Sequence, residues 1–130
     1  LVLTLAGCGD NQFHQSWHDT KLPSGKTVKV TQFLLAWGVE HDERHPDQDC
    51  FAMEFVYTQP DASDEAHGQE AREVFELMRT TSELWNLNTA TVAGFPKTER
   101  KGKYDLYIFT RGADGQWAVK REQRKVFAND

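Results

Sequence analysis

Four histidines fall into two pairs with a spacing that metal sites use. His14 and His18 are four residues apart, as are His41 and His45, and aspartates surround the second pair. Imidazole and carboxylate groups together suit zinc and similar ions. Four-residue spacing brings two ligands together on a helix, whereas the sequence around both pairs predicts strand or loop. We therefore expect solvated side chains and no cofactor, with a metal site at His41 and His45 as the alternative.

Cys50 is a second candidate, because a cysteine thiol can act as a nucleophile. A nucleophilic cysteine needs a base beside it, and the histidines of the preceding loop are the only nearby candidates in the sequence. No Gly-x-Ser-x-Gly elbow occurs. Paired carboxylates are no evidence for an enzyme here, because the chain is acidic overall. Cys50 begins an apolar run, which indicates a buried free thiol. We expect that the chain is not an enzyme.

The last third of the chain predicts a hairpin. Strand patterns cover Tyr104–Thr110 and Trp117–Val126, and Asp114-Gly115 between them is a hairpin signal. Taking residues 111–116 as the turn pairs Thr110 with Trp117.

Counting back from that pair gathers basic residues at the open end of the hairpin. Lys103 then lies opposite Arg124, and Lys101 lies near Lys125. Like charges facing each other are unfavourable, so the arrangement suggests a site for an anionic partner: an acidic protein, a phosphate-bearing lipid or the cell-wall polymer. Trp37 is added as a contact, since tryptophan is enriched at binding hot spots. The alternative is a solvated loop beside an edge strand that lysines protect from aggregation.

Charge is spread unevenly over the 130 residues, whose formal net charge is -5. Residues 1–80 carry 14 acidic and 6 basic side chains, whereas residues 81–130 carry 6 acidic and 9 basic ones. This asymmetry influences the choice of partner and not the fold. The overall acidity argues against general nucleic-acid binding.

The order of elements predicts an α+β fold, with an antiparallel sheet of about six strands and one helix packed on it, in the order βββαβββ. The helix begins near Asp61 to Asp64, where acidic side chains favour its first turn. Its expected buried stripe is Ala71, Val74, Phe75, Met78 and Trp85, with Arg72, Glu73, Glu76 and Arg79 on the other side. The remaining strands are expected at residues 15–22, 27–39, 50–58 and 87–95.

An apolar run at the start of the chain ends in Leu5, Ala6, Gly7 and Cys8. This string resembles the lipobox of bacterial lipoproteins: an aliphatic residue, two small residues and a cysteine. The resemblance implies that Cys8 receives a diacylglycerol and that cleavage makes it the first mature residue. Gly9 after the cysteine implies transport to the outer membrane. Without the resemblance, the same run would suit a buried strand.

The resemblance divides the chain into three parts. Residues 1–7 would be the remnant of a signal peptide whose basic head is missing, residues 8–14 a lipidated tether, and residues 15–130 one globular domain. We therefore predict a lipid-anchored protein on the periplasmic face of the outer membrane. Its expected function is non-catalytic protein binding, for example as an inhibitor or immunity protein of a toxin or hydrolase. The alternatives are an assembly subunit of an envelope complex and a metal-binding or enzymatic domain that uses the histidines. The oligomeric state is left open.

Overall fold

One helix packs against one face of a mixed sheet, which makes the chain an α+β protein. The computed structural model describes residues 16–31, 34–37 and 49–126, with the backbone alone at 34–37, 49 and 50. The elements are β1 (His18–Lys21), β2 (Thr27–Val30), β3 (Leu34–Trp37), β4 (Asp49–Val56), α1 (Asp64–Leu84), β5 (Thr89–Phe95), β6 (Lys103–Arg111) and β7 (Trp117–Lys125).

The expectation of a wholly antiparallel sheet was wrong. The strands lie in the order β1-β2-β4-β5-β6-β7, and β4 and β5 run parallel. The reason is the helix between them. α1 carries the chain back from the end of β4 to the opposite edge, so β5 starts where β4 started, as in other strand-helix-strand units. All other strand pairs are antiparallel, as predicted.

The predicted second strand, residues 27–39, is divided into β2 and β3. Both pair with β4: Val30 lies opposite Phe55, and Leu34 lies opposite Ala52. Between these two pairs the chain of β2 and β3 advances by four residues, whereas β4 advances by three. Residues 32 and 33, between the two strands, lie outside the described residues. Thr31 holds β4 at this point, because its Oγ1 accepts a hydrogen bond of 2.8 Å from the backbone N–H of Glu54. Because β2 and β3 lie end to end along the same edge of β4, the sheet is six strands wide, and the order βββαβββ fits.

The helix begins as predicted. Ser63 caps it by accepting a hydrogen bond from the N–H of Ala66, and Asp64 and Glu65 form an acidic first turn. The predicted stripe is buried at Ala71, Val74, Phe75 and Met78. Two expectations for this helix were wrong: Trp85 ends the helix with 58% of its surface exposed, and Glu73 is buried.

Glu70 and Glu73 are buried because they bind the turn between β1 and β2. Glu73 accepts a hydrogen bond of 2.8 Å from the backbone N–H of Ser24. Glu70 forms an ion pair of 3.0 Å with Lys26 and accepts hydrogen bonds from the backbone N–H and hydroxyl of Thr58. These carboxylates therefore fasten the helix to the β1–β2 turn and to the end of β4.

Side chains on both faces of the central strands are buried. On the face that carries α1, which we call the helix side, Phe75 stacks on Phe109 with ring centroids 4.1 Å apart. On the far side, a smaller cluster contains Ala93, Phe95, Leu106 and Ile108. Among the described residues, no helix is long and apolar enough to cross a membrane.

Candidate functional site at the open end of the last hairpin

The hairpin of β6 and β7 forms with a register one residue away from the predicted one. Arg111, and not Thr110, faces Trp117. Arg111 remains in the strand because its N–H donates to Asn88 O at 2.9 Å, which leaves a turn of residues 112–116. Gly115 permits this turn with its positive φ of 83°. The expected pairing of Lys103 with Arg124 was therefore wrong.

The correct register places Lys103 directly opposite Lys125. Residues opposite each other in antiparallel strands point to the same face, and here that face is the helix side. Both lysines are exposed, as is Lys101 in the loop before β6. Their side chains form no hydrogen bond or ion pair within residues 16–31, 34–37 and 49–126. We call Lys101, Lys103 and Lys125 the lysine site.

Arg124 does not join the lysine site, because it lies on the far side opposite Tyr104. Its Nη2 donates a hydrogen bond of 2.7 Å to Glu122 Oε1, and Lys120 approaches the other oxygen at 3.0 Å. These hydrogen bonds, that of Arg124 first, lower the pKa of Glu122. The far side of β7 thus has a carboxylate among its cations, whereas no described carboxylate forms an ion pair with the lysine site.

A second part of the site is a polar cluster that sequence reasoning missed. The hydroxyl of Tyr57 donates to Asp105 Oδ2 at 2.5 Å and lies 2.9 Å from the hydroxyl of Tyr107. Arg121 Nη2 lies 3.1 Å from the same Asp105 oxygen and 3.2 Å from Asp64 Oδ1. The cluster links Asp64 at the start of α1 to Arg121 of β7. Arg121 lies two residues before Gln123 and four before Lys125.

The electrostatics of this cluster keep Tyr57 protonated and Arg121 charged. Burial, followed by the hydrogen bond to Asp105, raises the pKa of Tyr57 well above its usual value, so the phenol stays protonated as a donor. Burial lowers the pKa of Arg121, but its bonds to Asp105 and Asp64 outweigh that effect, and the net shift is upward. The cluster therefore holds Arg121 in place on the helix side of β7.

Arg100, the cation nearest Lys101 in the basic loop, is used inside the fold. Its Nε donates a hydrogen bond of 2.7 Å to Glu54 Oε1, and its guanidinium lies 4.1 Å from the ring centroid of Trp17. Trp17 in turn meets Phe95 edge to face. These contacts pack the residues before β1 on the far side of the sheet.

Several predicted site residues lie outside the described residues: Cys8, His41 and His45. For Trp37 and Cys50 the backbone alone is described, and Trp37 pairs with Asp49 while Cys50 pairs with Ala36. Among the side chains that the structure describes, no group of three or more histidine, cysteine, aspartate or glutamate residues could hold a metal ion. Comparison with protein-family models, curated proteins and solved structures finds no match for this chain.

Proposed function

We propose that this chain is a non-catalytic protein-binding module, anchored by lipid on Cys8 to the periplasmic face of the bacterial outer membrane. The lysine site is its contact surface, and the partner is an acidic protein of the envelope. One specific form of this function is an inhibitor or immunity protein for a toxin or hydrolase. The observation that carries the proposal is the cross-strand pair of Lys103 and Lys125, which is exposed to solvent and forms no ion pair with a carboxylate in the described part of the chain.

The repulsion between Lys103 and Lys125 weakens the fold, and a binding function accounts for the presence of this pair. Like charges directly opposite each other on two strands are unfavourable by a few tenths to about 1 kcal/mol. An acidic partner would relieve that repulsion on binding. At the same end of the hairpin, Arg100 and Arg124 bind carboxylates of the chain itself, whereas Lys101, Lys103 and Lys125 form no ion pair with the residues that the structure describes.

The lipid anchor rests on the resemblance of Leu5, Ala6, Gly7 and Cys8 to a lipobox. Two or more acyl chains anchor a protein stably where one does not, since each buried methylene contributes about 0.8 kcal/mol. In cells that make the full precursor, Cys8→Ser should move the protein from the membrane to the soluble periplasmic fraction. A wild-type protein without acyl mass, or a variant that stays with the membrane, would contradict the anchor.

The binding surface is tested by measuring the binding of poly-glutamate, an acidic probe. Replacing Lys101, Lys103 and Lys125 with serine should weaken poly-glutamate binding about tenfold at low salt, because exposed ion pairs contribute ~0.2–1 kcal/mol each. The matched control replaces Lys21, Lys29 and Arg79 with serine, which removes the same charge from other surfaces. Equal losses in both variants would show that only net charge matters, and would refute the lysine site.

A further inference from the structure

The strand β7 lies at one edge of the sheet. In the described part of the chain it pairs with β6 alone, and it does so over nine consecutive residues without a break in register. The opposite edge strand, β1, has only four residues. Proteins commonly protect edges by making them short or bulged, and β7 is neither. It therefore offers a long row of backbone groups on which another strand could pair.

Two hydrogen bonds fix which backbone groups of β7 face outward. At one end the N–H of Val126 donates to Gly102 O at 2.9 Å, and at the other the N–H of Gly112 donates to Gln116 O at 2.8 Å. Bonded and non-bonded pairs alternate along antiparallel strands. The even-numbered residues of β7 therefore bond to β6. The odd-numbered residues, among them Val119, Arg121 and Gln123, direct their N–H and C=O groups away from the sheet.

Charge selects the strand that this edge accepts. β7 carries four basic side chains and one acidic one, and Glu122, the acidic one, already binds Lys120 and Arg124. A second copy of β7 would bring cation against cation. An acidic strand would bring carboxylates toward Arg121 and Lys125, which lie four residues apart on the same face. The ion pairs of Arg121 with Asp105 and Asp64 both use its Nη2, and they hold the guanidinium in position for this further contact.

We infer that β7 binds an extended acidic segment of the partner protein as an additional strand of the sheet. Backbone hydrogen bonds to the odd-numbered residues provide affinity, and acidic side chains opposite Arg121 and Lys125 provide selectivity. The segment carries acidic residues four positions apart, so that both reach the helix side. This inference rests on the proposed function, since it specifies how the acidic partner of the lysine site is held.

The test uses the full chain with Cys8→Ser and two synthetic peptides of nine residues, the length of β7. One alternates glutamate with valine. The other alternates N-methylglutamate with proline, so it has the same charge but no N–H group within the repeat for a ladder in either strand direction. The valine peptide should bind about tenfold more tightly. On binding, the amides of Val119, Arg121 and Gln123 should become protected from hydrogen exchange, while the amides of even-numbered residues stay as protected as before.

Two substitutions at Gln123 distinguish the contribution of its backbone N–H to peptide binding from that of its side chain. Gln123→Pro removes an outward N–H at a position where an edge strand tolerates proline, and it should abolish the preference for the valine peptide. Gln123→Thr keeps the N–H and should preserve it. Hydrogen exchange in the unmutated chain gives an independent readout if Gln123→Pro folds poorly.

The outcomes distinguish this inference from the proposed function. Equal binding of both peptides without amide protection would overturn strand addition and leave the lysine site as a purely electrostatic contact. If neither peptide binds at low salt, both proposals fail, and β7 is an edge that its lysines merely protect. Protection of the odd-numbered amides without peptide, accompanied by a dimer in sedimentation, would identify a second copy as the occupant and overturn the acidic segment.

Discussion

Tyr57 reaches Asp105 by passing over Gly94. Gly94 lies on β5, paired with Phe55 of β4 on one side and with Asp105 of β6 on the other. A Cβ at this position would lie 2.6 Å from both Cζ and Oη of Tyr57. The missing side chain of Gly94 is therefore what allows the phenol to cross β5 and donate its hydrogen bond to Asp105.

We expect Gly94→Ala to destabilise the protein by ~1–3 kcal/mol, the usual cost of overpacking a buried site and disturbing a buried hydrogen bond. The control is Gly68→Ala in α1, where a Cβ meets nothing within 4 Å. Because alanine is the better helix residue, that change should stabilise by ~0.5–1 kcal/mol. Urea unfolding measures both. Equal effects of the two changes would contradict the crossing of Tyr57 over Gly94.

The second prediction concerns alkaline pH. Burial raises the pKa of all three tyrosines, Tyr57, Tyr104 and Tyr107. Their contribution to stability is complete below the unfolded pKa of about 10 and is lost as the pH rises above it, because only the unfolded chain then ionises readily. At pH ~10 the folded protein should show little phenolate absorbance, while the chain in urea shows about half. Ionisation near that pH with native circular dichroism would contradict the buried cluster.

The third prediction separates stability from binding at the lysine site. Lys125→Glu places a carboxylate opposite Lys103, so the free energy of unfolding should rise by ~0.2–1 kcal/mol while poly-glutamate binding falls. Lys21→Glu, on the β1 edge opposite Thr27, is the control and should change neither by much. Loss of stability in the Lys125 variant would mean that the two lysines are not neighbours in solution.

The fourth prediction tests the anchorage of the helix. Glu70→Ala should destabilise by ~1–3 kcal/mol, because it removes a buried carboxylate that accepts from the N–H of Thr58 and pairs with Lys26. Glu76→Ala removes a carboxylate of the same helix whose pair with Arg79 is exposed, and it should cost under about 0.5 kcal/mol. Thermal unfolding of both variants gives the comparison, and similar losses would rule out a special role for Glu70.

The sequence by itself determined the local elements of this protein. The helix stripe of Ala71, Val74 and Phe75 and the turn at Asp114-Gly115 are patterns of neighbouring residues, and the structure confirms them. The capped start of α1 belongs to the same class. Periodicity and turn chemistry act over a few residues, so one sequence suffices to predict them.

Tertiary structure alone decided how those elements meet. The parallel pairing of β4 and β5 depends on the path of the helix between them, and the register of β7 depends on the hydrogen bond that keeps Arg111 in β6. A shift of one residue moved Arg124 to the far side and brought Lys103 to Lys125, since side chains alternate between faces. Tyr57 and Asp105 are 48 residues apart. No local pattern marks such a contact, because it exists only once three strands and a glycine are aligned.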